Sequence, residues 1–170
     1  MRVLLCATLL LLLPSCVAHA VSRDRRRITT FVGQLPRCAP STAAQGLGEA
    51  TEPSPSVRIR GTLKMGPALC TLLYCEHRAC CNGCGGRWVL AKSPETEPAV
   101  WDTPDVITLL DPESHLMGWG AADCSLDAVE RGFQPIPVVV TGALRPRVNV
   151  SYGDGNPFVL VASEICRTDR

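Results

Sequence analysis

The 170-residue sequence has few aromatic side chains, few histidines and almost no net charge. Aromatic residues make up 5% of the chain, there are 3 histidines, and 17 basic residues face 16 acidic ones. A near-neutral chain with so few rings lacks the basic patches and stacking surfaces of nucleic-acid-binding proteins. Its hydrophobic content of 46% in turn excludes a wholly disordered chain.

Catalytic and cofactor-binding motifs are also missing. The sequence contains no Gly-x-Ser-x-Gly elbow, no phosphate-binding P-loop, no His-Glu-x-x-His zinc motif and no dinucleotide fingerprint. Outside the N-terminal segment, only His77 and His115 offer an imidazole. We therefore assign no catalytic residue, no cofactor and no metal ligand, and we favour a protein that is not an enzyme.

The N-terminus has the pattern of an export signal. Met1-Arg2 precedes Val3 to Leu13, an uncharged, Leu-rich run of 11 residues. This run is shorter than the roughly 20 residues that a membrane-spanning helix needs. Pro14 and the small-x-small triplet Ala18-His19-Ala20 follow, so residues 1–20 are predicted to be a signal peptide that is cleaved after Ala20.

A bacterial lipoprotein is the alternative. Leu13-Pro14-Ser15-Cys16 resembles a lipobox, in which Cys16 would be lipidated and become the first residue. Pro14 and the apolar Val17-Ala18 depart from the usual pattern. Both interpretations predict a protein that is secreted or held at the cell envelope, and a membrane would be contacted only through a lipid on Cys16.

Ten cysteines are the strongest feature of the sequence. An even number remains after the predicted signal, which in an exported chain predicts disulfides. The disulfide candidates are Cys38, Cys70, Cys75, Cys80, Cys81, Cys84, Cys124 and Cys166. Five of them lie between positions 70 and 84 and three lie outside. If all pair, an odd number of bonds joins this cluster to Cys38, Cys124 or Cys166.

The same cluster, from Cys70 to Cys84, also permits a redox or metal-binding function. Cys81-Asn-Gly-Cys84 has the spacing of a redox thiol pair, but Gly85-Gly86 oppose the helix that usually lowers the thiol pKa. His77 lies within the cluster, so zinc ligation by thiolates and an imidazole is a further alternative. Neither pattern is matched in full, and we expect structural disulfides.

Composition divides the rest of the chain into two regions. Residues 21–56 are predicted to be a flexible linker, basic over residues 21–27 and then rich in Pro, Ser and Ala. Arg23-x-Arg25-Arg26 within it also fits a basic processing site. Residues 57–170 are predicted to form a disulfide-rich β domain.

Alternating apolar and polar residues predict a strand at 57–63, and a similar pattern predicts one at 138–144. Shorter apolar stretches predict strands at 88–91, 106–110 and 158–166, and a short helix is predicted at 125–131. Ser125 is the predicted N-cap and Gly132 the predicted stop of that helix. Gly61 and Gly142 predict a bulge or sharp bend in two of the strands. This order of elements resembles the OB-fold, which implies a mainly β, five-stranded barrel, here braced by disulfides. A β-sandwich is the alternative.

Charged residues are unevenly distributed. Nine acids and no lysine or arginine lie between Lys92 and Arg131. They are Glu95, Glu97, Asp102, Asp105, Asp111, Glu113, Asp123, Asp127 and Glu130. Two predicted strands instead carry Arg58, Arg60, Arg145 and Arg147, which would lie together if those strands pair. We expect solvated acidic loops and arginines that face the chain's own acids, with an anionic ligand as the alternative.

Two functions of different classes remain. The missing catalytic motifs favour an exported, non-catalytic binding or interaction module, whose partner is a protein or a glycan rather than a nucleic acid. The alternative is a redox or metal-binding protein that uses the Cys70–Cys84 cluster. Asn149-Val-Ser151 is also an N-glycosylation acceptor sequence. The ligand itself does not follow from the fold.

Overall fold

A computed structural model describes residues 4–40, 43–71, 82–97, 103–147 and 156–169, with side chains of the first helix described from Ala18 onward except Thr29. The α-helices of this part of the chain are α1 (Leu4–Gln34) and α2 (Leu126–Gly132), and short 3₁₀ helices span Leu47–Glu49 and Asp123–Ser125. The strands are β1 (Gln45–Gly46), β2 (Ser54–Met65), β3 (Leu69–Cys70), β4 (Gly83–Ala91), β5 (Val106–Leu110), β6 (Gly118–Ala122), β7 (Ile136–Pro146) and β8 (Phe158–Arg167).

The chain divides into two compact units. The first, which we call the strand unit, consists of residues 34–67, 86–119 and 134–170. The second, which we call the helix unit, consists of residues 1–33, 68–85 and 120–133. Strands β4 and β6 each contribute residues to both units, and each unit is described by itself below.

Five long strands pair with one another in the strand unit. β2 pairs antiparallel with β7 along most of its length and, through Thr62–Met65, antiparallel with β4. β7 pairs antiparallel with β8, β8 pairs parallel with β5, and β5 pairs antiparallel with β4. β1 adds a short parallel strand beside β2.

The main core lies on one face of these strands. Ile59 of β2 lies opposite Val140 of β7, and both side chains are fully buried. Arg58 and Arg60, which flank Ile59, are exposed on the other face. This alternation is the period of two of a strand with one buried face, and it is why apolar alternation located the strand in the sequence.

The predicted strands are confirmed, and the protein is mainly β. Eight strands lie in the described ranges, three more than the five that the OB-fold resemblance implies, so the five-stranded barrel is not confirmed. The additional strands are β1, β3 and β6. Two of them are only two residues long, and β6, Gly-Trp-Gly-Ala-Ala, has no β-branched residue, so none carries an alternating signal.

Two glycines mark points of close backbone approach, and the predicted bulge is found at Gly142, whereas β2 keeps its register with β7 through Gly61. The pairing of β7 with β8 shifts register between Thr141 and Gly142, and a Cβ at Gly142 would lie 2.1 Å from the carbonyl oxygen of Val161. A Cβ at Gly61 would lie 2.7 Å from the carbonyl oxygen of Ala91. Only glycine fits at either point without a shift of the neighbouring backbone.

The structure differs from the flexible linker predicted for residues 21–56. Residues up to Gln34 continue α1, in which Asp24 and Ile28 are buried. These two residues are four apart and therefore share one helix face, while Arg23, Arg26 and Arg27 are exposed. The basic residues obscured this helical period.

The second half of the expected linker is also ordered by contacts within the strand unit. Leu47 is buried, and the backbone N–H of Gly46 donates a 2.8 Å hydrogen bond to the carboxylate of Glu49. Gln45 and Gly46 pair with Ile59 and Arg60 of β2. One buried leucine and a short pairing are too local to produce a sequence pattern.

Candidate functional site

All five described cysteines beyond α1 are in disulfides. Cys38 bonds Cys166, Cys70 bonds Cys84, and Cys124 is also disulfide-bonded. Disulfides are therefore confirmed, and they are typical of proteins in an oxidising environment outside the cytosol. Three predicted disulfide cysteines lie outside the 70–84 cluster, and two of them, Cys38 and Cys166, bond each other. The predicted covalent link between the cluster and the rest of the chain therefore depends on the third, Cys124.

The Cys70–Cys84 bond lies within a pair of strands. Cys70 of β3 and Cys84 of β4 are directly opposite in the antiparallel register, and Cys84 is buried. The Cys84 sulfur is therefore already used, and this bond does not fit a redox disulfide between Cys81 and Cys84. Cys70 is exposed, but a disulfide between directly opposite residues of a strand pair, with one sulfur buried, is typical of a structural bond.

Several predicted site residues fall outside the described ranges. They are Cys75, His77, Cys80, Cys81 and Asn149, and the Cys16 side chain is not described either. Zinc binding at the cluster, glycosylation and lipidation thus stay predictions. Among the residues that are described, no three His, Cys, Asp or Glu side chains lie close enough to bind a metal ion.

Polar contacts connect the segments around the disulfide in the helix unit. Gly83 donates its backbone N–H to the hydroxyl of Thr71 at 3.1 Å. The Asn82 side chain donates to the Asp123 carboxylate at 3.0 Å, and the same carboxylate accepts the backbone N–H of Cys124 at 2.8 Å. Asp123, one of the nine acids in the acidic stretch, therefore has a structural role.

Helix α1 contacts both ends of α2. The Asp24 carboxylate accepts hydrogen bonds from the backbone N–H of Ala122 at 2.9 Å and from the hydroxyl of the fully buried Ser125 at 2.7 Å. Ser125 occupies the predicted N-cap position, but its hydroxyl bonds Asp24 and does not cap α2. At the other end, the Arg25 guanidinium packs against Gly132. A Cβ placed on Gly132 would lie 2.6 Å from Arg25 Nη2.

This pair of contacts matches the charge distribution of a helix. The negative Asp24 lies near the N-terminal end of α2, which carries partial positive charge, and the positive Arg25 lies near the C-terminal end. The sequence analysis did not predict the contacts of Asp24 and Arg25 with α2, because both residues lie in the basic part of the predicted flexible linker. The available signal was the helical spacing of Val21, Asp24 and Ile28.

The four arginines predicted to lie together are separated along the strands. Arg58 lies opposite Thr141, so Arg145 is four residues, roughly 13 Å, farther along β7. Arg145 donates to the Ser114 hydroxyl at 3.2 Å. Arg58 and Arg60 remain on the exposed face of β2.

Two other arginines are distinguished by their electrostatics. Desolvation by burial lowers the pKa of Arg147, and the positive charge of Arg87 lowers it further. Burial also lowers the pKa of Arg87. Burial and a second positive charge both disfavour a charged guanidinium, and the approach of an anion offsets both effects. We call Arg87 and Arg147 the arginine pair.

The acidic stretch makes isolated contacts in the described ranges. The Lys92 ammonium lies 3.4 Å from the Asp105 carboxylate. The Nδ1 atom of His115 lies 3.5 Å from the Asp111 carboxylate. Asp102 lies outside the description. These contacts fit the expected solvated loops, in which acids pair singly with nearby cations.

Comparisons with protein-family models, with curated proteins and with solved structures found no match. A search of the described helices found none that is long and apolar enough to cross a membrane.

Proposed function

We propose that this chain is an exported, disulfide-braced binding module without a catalytic site, and that its five long strands form an OB-like barrel. The order of pairings supports the barrel, because it returns to its start: β2 to β7, β8, β5, β4 and again β2. The OB-fold is a five-stranded Greek-key barrel, and α2 lies in sequence between β5 and β7.

The Cys70–Cys84 bond is the observation that carries the choice of a binding module. A redox or metal protein needs free or exchangeable thiols in the cluster. A bond between directly opposite residues of a strand pair, with Cys84 buried, supports a structural use of these cysteines. OB-like barrels bind their ligands through one face and the adjoining loops, and this use requires no catalytic residues.

The arginine pair is the proposed contact for the partner. Arg87 lies in β4, Arg147 follows β7 directly, and burial lowers the pKa of both. A guanidinium recognises carboxylate and sulfate groups through paired hydrogen bonds, more strongly where water is partly excluded. We therefore propose that the protein or glycan partner presents an acidic group to this pair.

A thiol and metal assay separates this function from the alternative. The native protein is denatured under non-reducing conditions and its free thiols are titrated, while zinc and iron are measured on the same sample. We expect no free thiol among the mature cysteines and less than stoichiometric metal. Two or more free thiols, or one zinc per chain, would instead favour the redox or metal-binding protein.

Binding is tested with a sulfated oligosaccharide and with an acidic peptide as probes. We expect at least one of them to bind, and Arg147→Gln to weaken that binding about tenfold or more, since a charge-assisted contact is lost. Arg58→Gln, on the exposed face of β2, is the matched control and should leave affinity almost unchanged. Equal losses in both variants would reject the arginine pair as the contact.

A further inference from the structure

The basic segment of α1 combines exposed arginines with one buried acid. Arg23 and Arg26 are exposed, and Asp24 between them is buried against the start of α2. We propose that the peptide bond between Arg26 and Arg27 is a processing site for an endoprotease of the export pathway, and that the contacts of Asp24 control access to it.

The residue types fit an arginine-specific protease. Arginines occupy three of the four positions that precede the bond, in the order Arg23-Asp24-Arg25-Arg26. A protease with acidic subsites can bind each guanidinium through paired hydrogen bonds to a carboxylate. Hydrolysis adds one water molecule across the bond, which leaves a carboxylate on Arg26 and an amine on Arg27.

Access requires local opening of α1, because endoproteases bind their substrates as extended strands rather than as helices. After cleavage of the predicted signal, only Val21 to Gln34 of the helix remain. An isolated helix of this length is marginal in water, so its contacts with the rest of the chain decide how often it opens. Two hydrogen bonds to Asp24, two residues before Arg26, are among the contacts that hold the helix next to the site.

Cleavage would also change the surroundings of α2. It removes Asp24, the acceptor for the backbone of Ala122 and the hydroxyl of Ser125, and it removes Arg25 from Gly132. Ser125 is fully buried before cleavage, although its hydroxyl keeps a second acceptor in the carbonyl of Ala122 at 2.8 Å. Processing would therefore uncover the two ends of α2 without breaking a disulfide.

The first experiment maps the N-terminus of the full chain after secretion from cells that contain such proteases. Intact-mass analysis should show a chain that begins at Arg27. Arg26→Ala should give a chain that begins at Val21, whereas Arg27→Ala, which preserves the four preceding positions, should still be cut. A wild-type chain that begins at Val21 or at Cys16, or an Arg26→Ala chain that is cut in the same place, would overturn the site.

The second experiment tests access. Unprocessed chain is purified from cells treated with a protease inhibitor and then incubated with the endoprotease. Asp24→Asn should be cut about tenfold faster or more, because a charged hydrogen-bond acceptor in a buried contact is lost. Ser125→Ala removes the hydroxyl that donates to the Asp24 carboxylate, and it should therefore also be cut faster than the wild type.

The exposed Thr30→Ala on the same helix is the control, and it should be cut at the wild-type rate. The near-UV circular dichroism of each variant shows whether the strand unit is still folded. If Asp24→Asn is misfolded, the rate for Ser125→Ala decides. Wild-type cleavage rates in both Asp24→Asn and Ser125→Ala would overturn the control of access by Asp24.

Discussion

Gly142 lies at the point where β7 and β8 change register. A side chain there would project into the backbone of Val161, whose carbonyl oxygen is 2.1 Å from the ideal Cβ position. Backbone atoms cannot move aside as the end of a flexible side chain can. The glycine is therefore required by the strand pairing itself, and not by a turn or a ligand.

We expect Gly142→Ala to lower the free energy of unfolding by about 1–3 kcal/mol or more, the range for overpacking a filled site. Gly118→Ala in β6 is the matched control, since its nearest non-local atom would be 3.5 Å away, an ordinary contact. That variant should stay within about 0.5 kcal/mol of the wild type. Urea unfolding monitored by fluorescence measures both, and similar values for the two variants would contradict the explanation.

Asp24 shows the opposite case, in which residue type and environment disagree. An aspartate among arginines is expected at a solvated surface, and aspartate is seldom fully buried unless it is paired. Here its carboxylate accepts two hydrogen bonds within the helix unit, and this satisfies it. The donors lie almost a hundred positions away in the sequence, so nothing near Asp24 could have indicated them.

At the scale of elements, the segment before β2 is held by few contacts. The 3₁₀ helix Leu47–Glu49 places Leu47 in a buried position, while its neighbours from Thr51 to Pro53 are exposed. Propensity and periodicity need a longer stretch than this to give a signal. The order of the segment therefore depends on its tertiary contacts with β2.

Leu47→Ala should accordingly lower the free energy of unfolding by about 2–4 kcal/mol, the usual cost of removing a buried leucine side chain. Hydrogen exchange at Gln45 and Gly46 should become faster, because their pairing with β2 loses its support. Thr51→Ala, at an exposed position in the same segment, serves as the control and should change neither quantity. If Leu47→Ala behaves like Thr51→Ala, the segment is not held by this contact.

For the whole molecule, the disulfides differ in how much of the chain they constrain. Cys38–Cys166 joins residues 128 apart in sequence, and Cys70–Cys84 joins residues 14 apart. In the chain-entropy model, the longer loop stabilises the protein by about 5 kcal/mol and the shorter by about 3 kcal/mol. Both values are large beside a total stability of about 5–15 kcal/mol.

Replacement of both Cys38 and Cys166 by alanine should therefore destabilise the protein more than replacement of both Cys70 and Cys84. The comparison uses urea unfolding midpoints of the two double variants under oxidising conditions, with mass analysis to confirm that the remaining cysteines are still paired. The reverse order would show that native-state packing, and not loop length, determines the contribution of each bond.

The sequence by itself determined what depends on local pattern. Apolar alternation located β2, apolar stretches located β5, β7 and β8, and Gly132 ended α2 as predicted. The even count of cysteines predicted disulfides, since that inference needs composition and not geometry. Gly61 and Gly142 drew attention in the sequence because a glycine inside a strand often marks a bulge, a bend or a close approach of another backbone.

Only the tertiary structure decided that Cys38 pairs with Cys166 and Cys70 with Cys84, because eight cysteines allow 105 arrangements. It also placed Arg145 away from Arg58 and buried Asp24 against α2. Each of these depends on strand register or on a contact between distant segments. Local sequence carries no record of such contacts, since they arise only when the chain is folded.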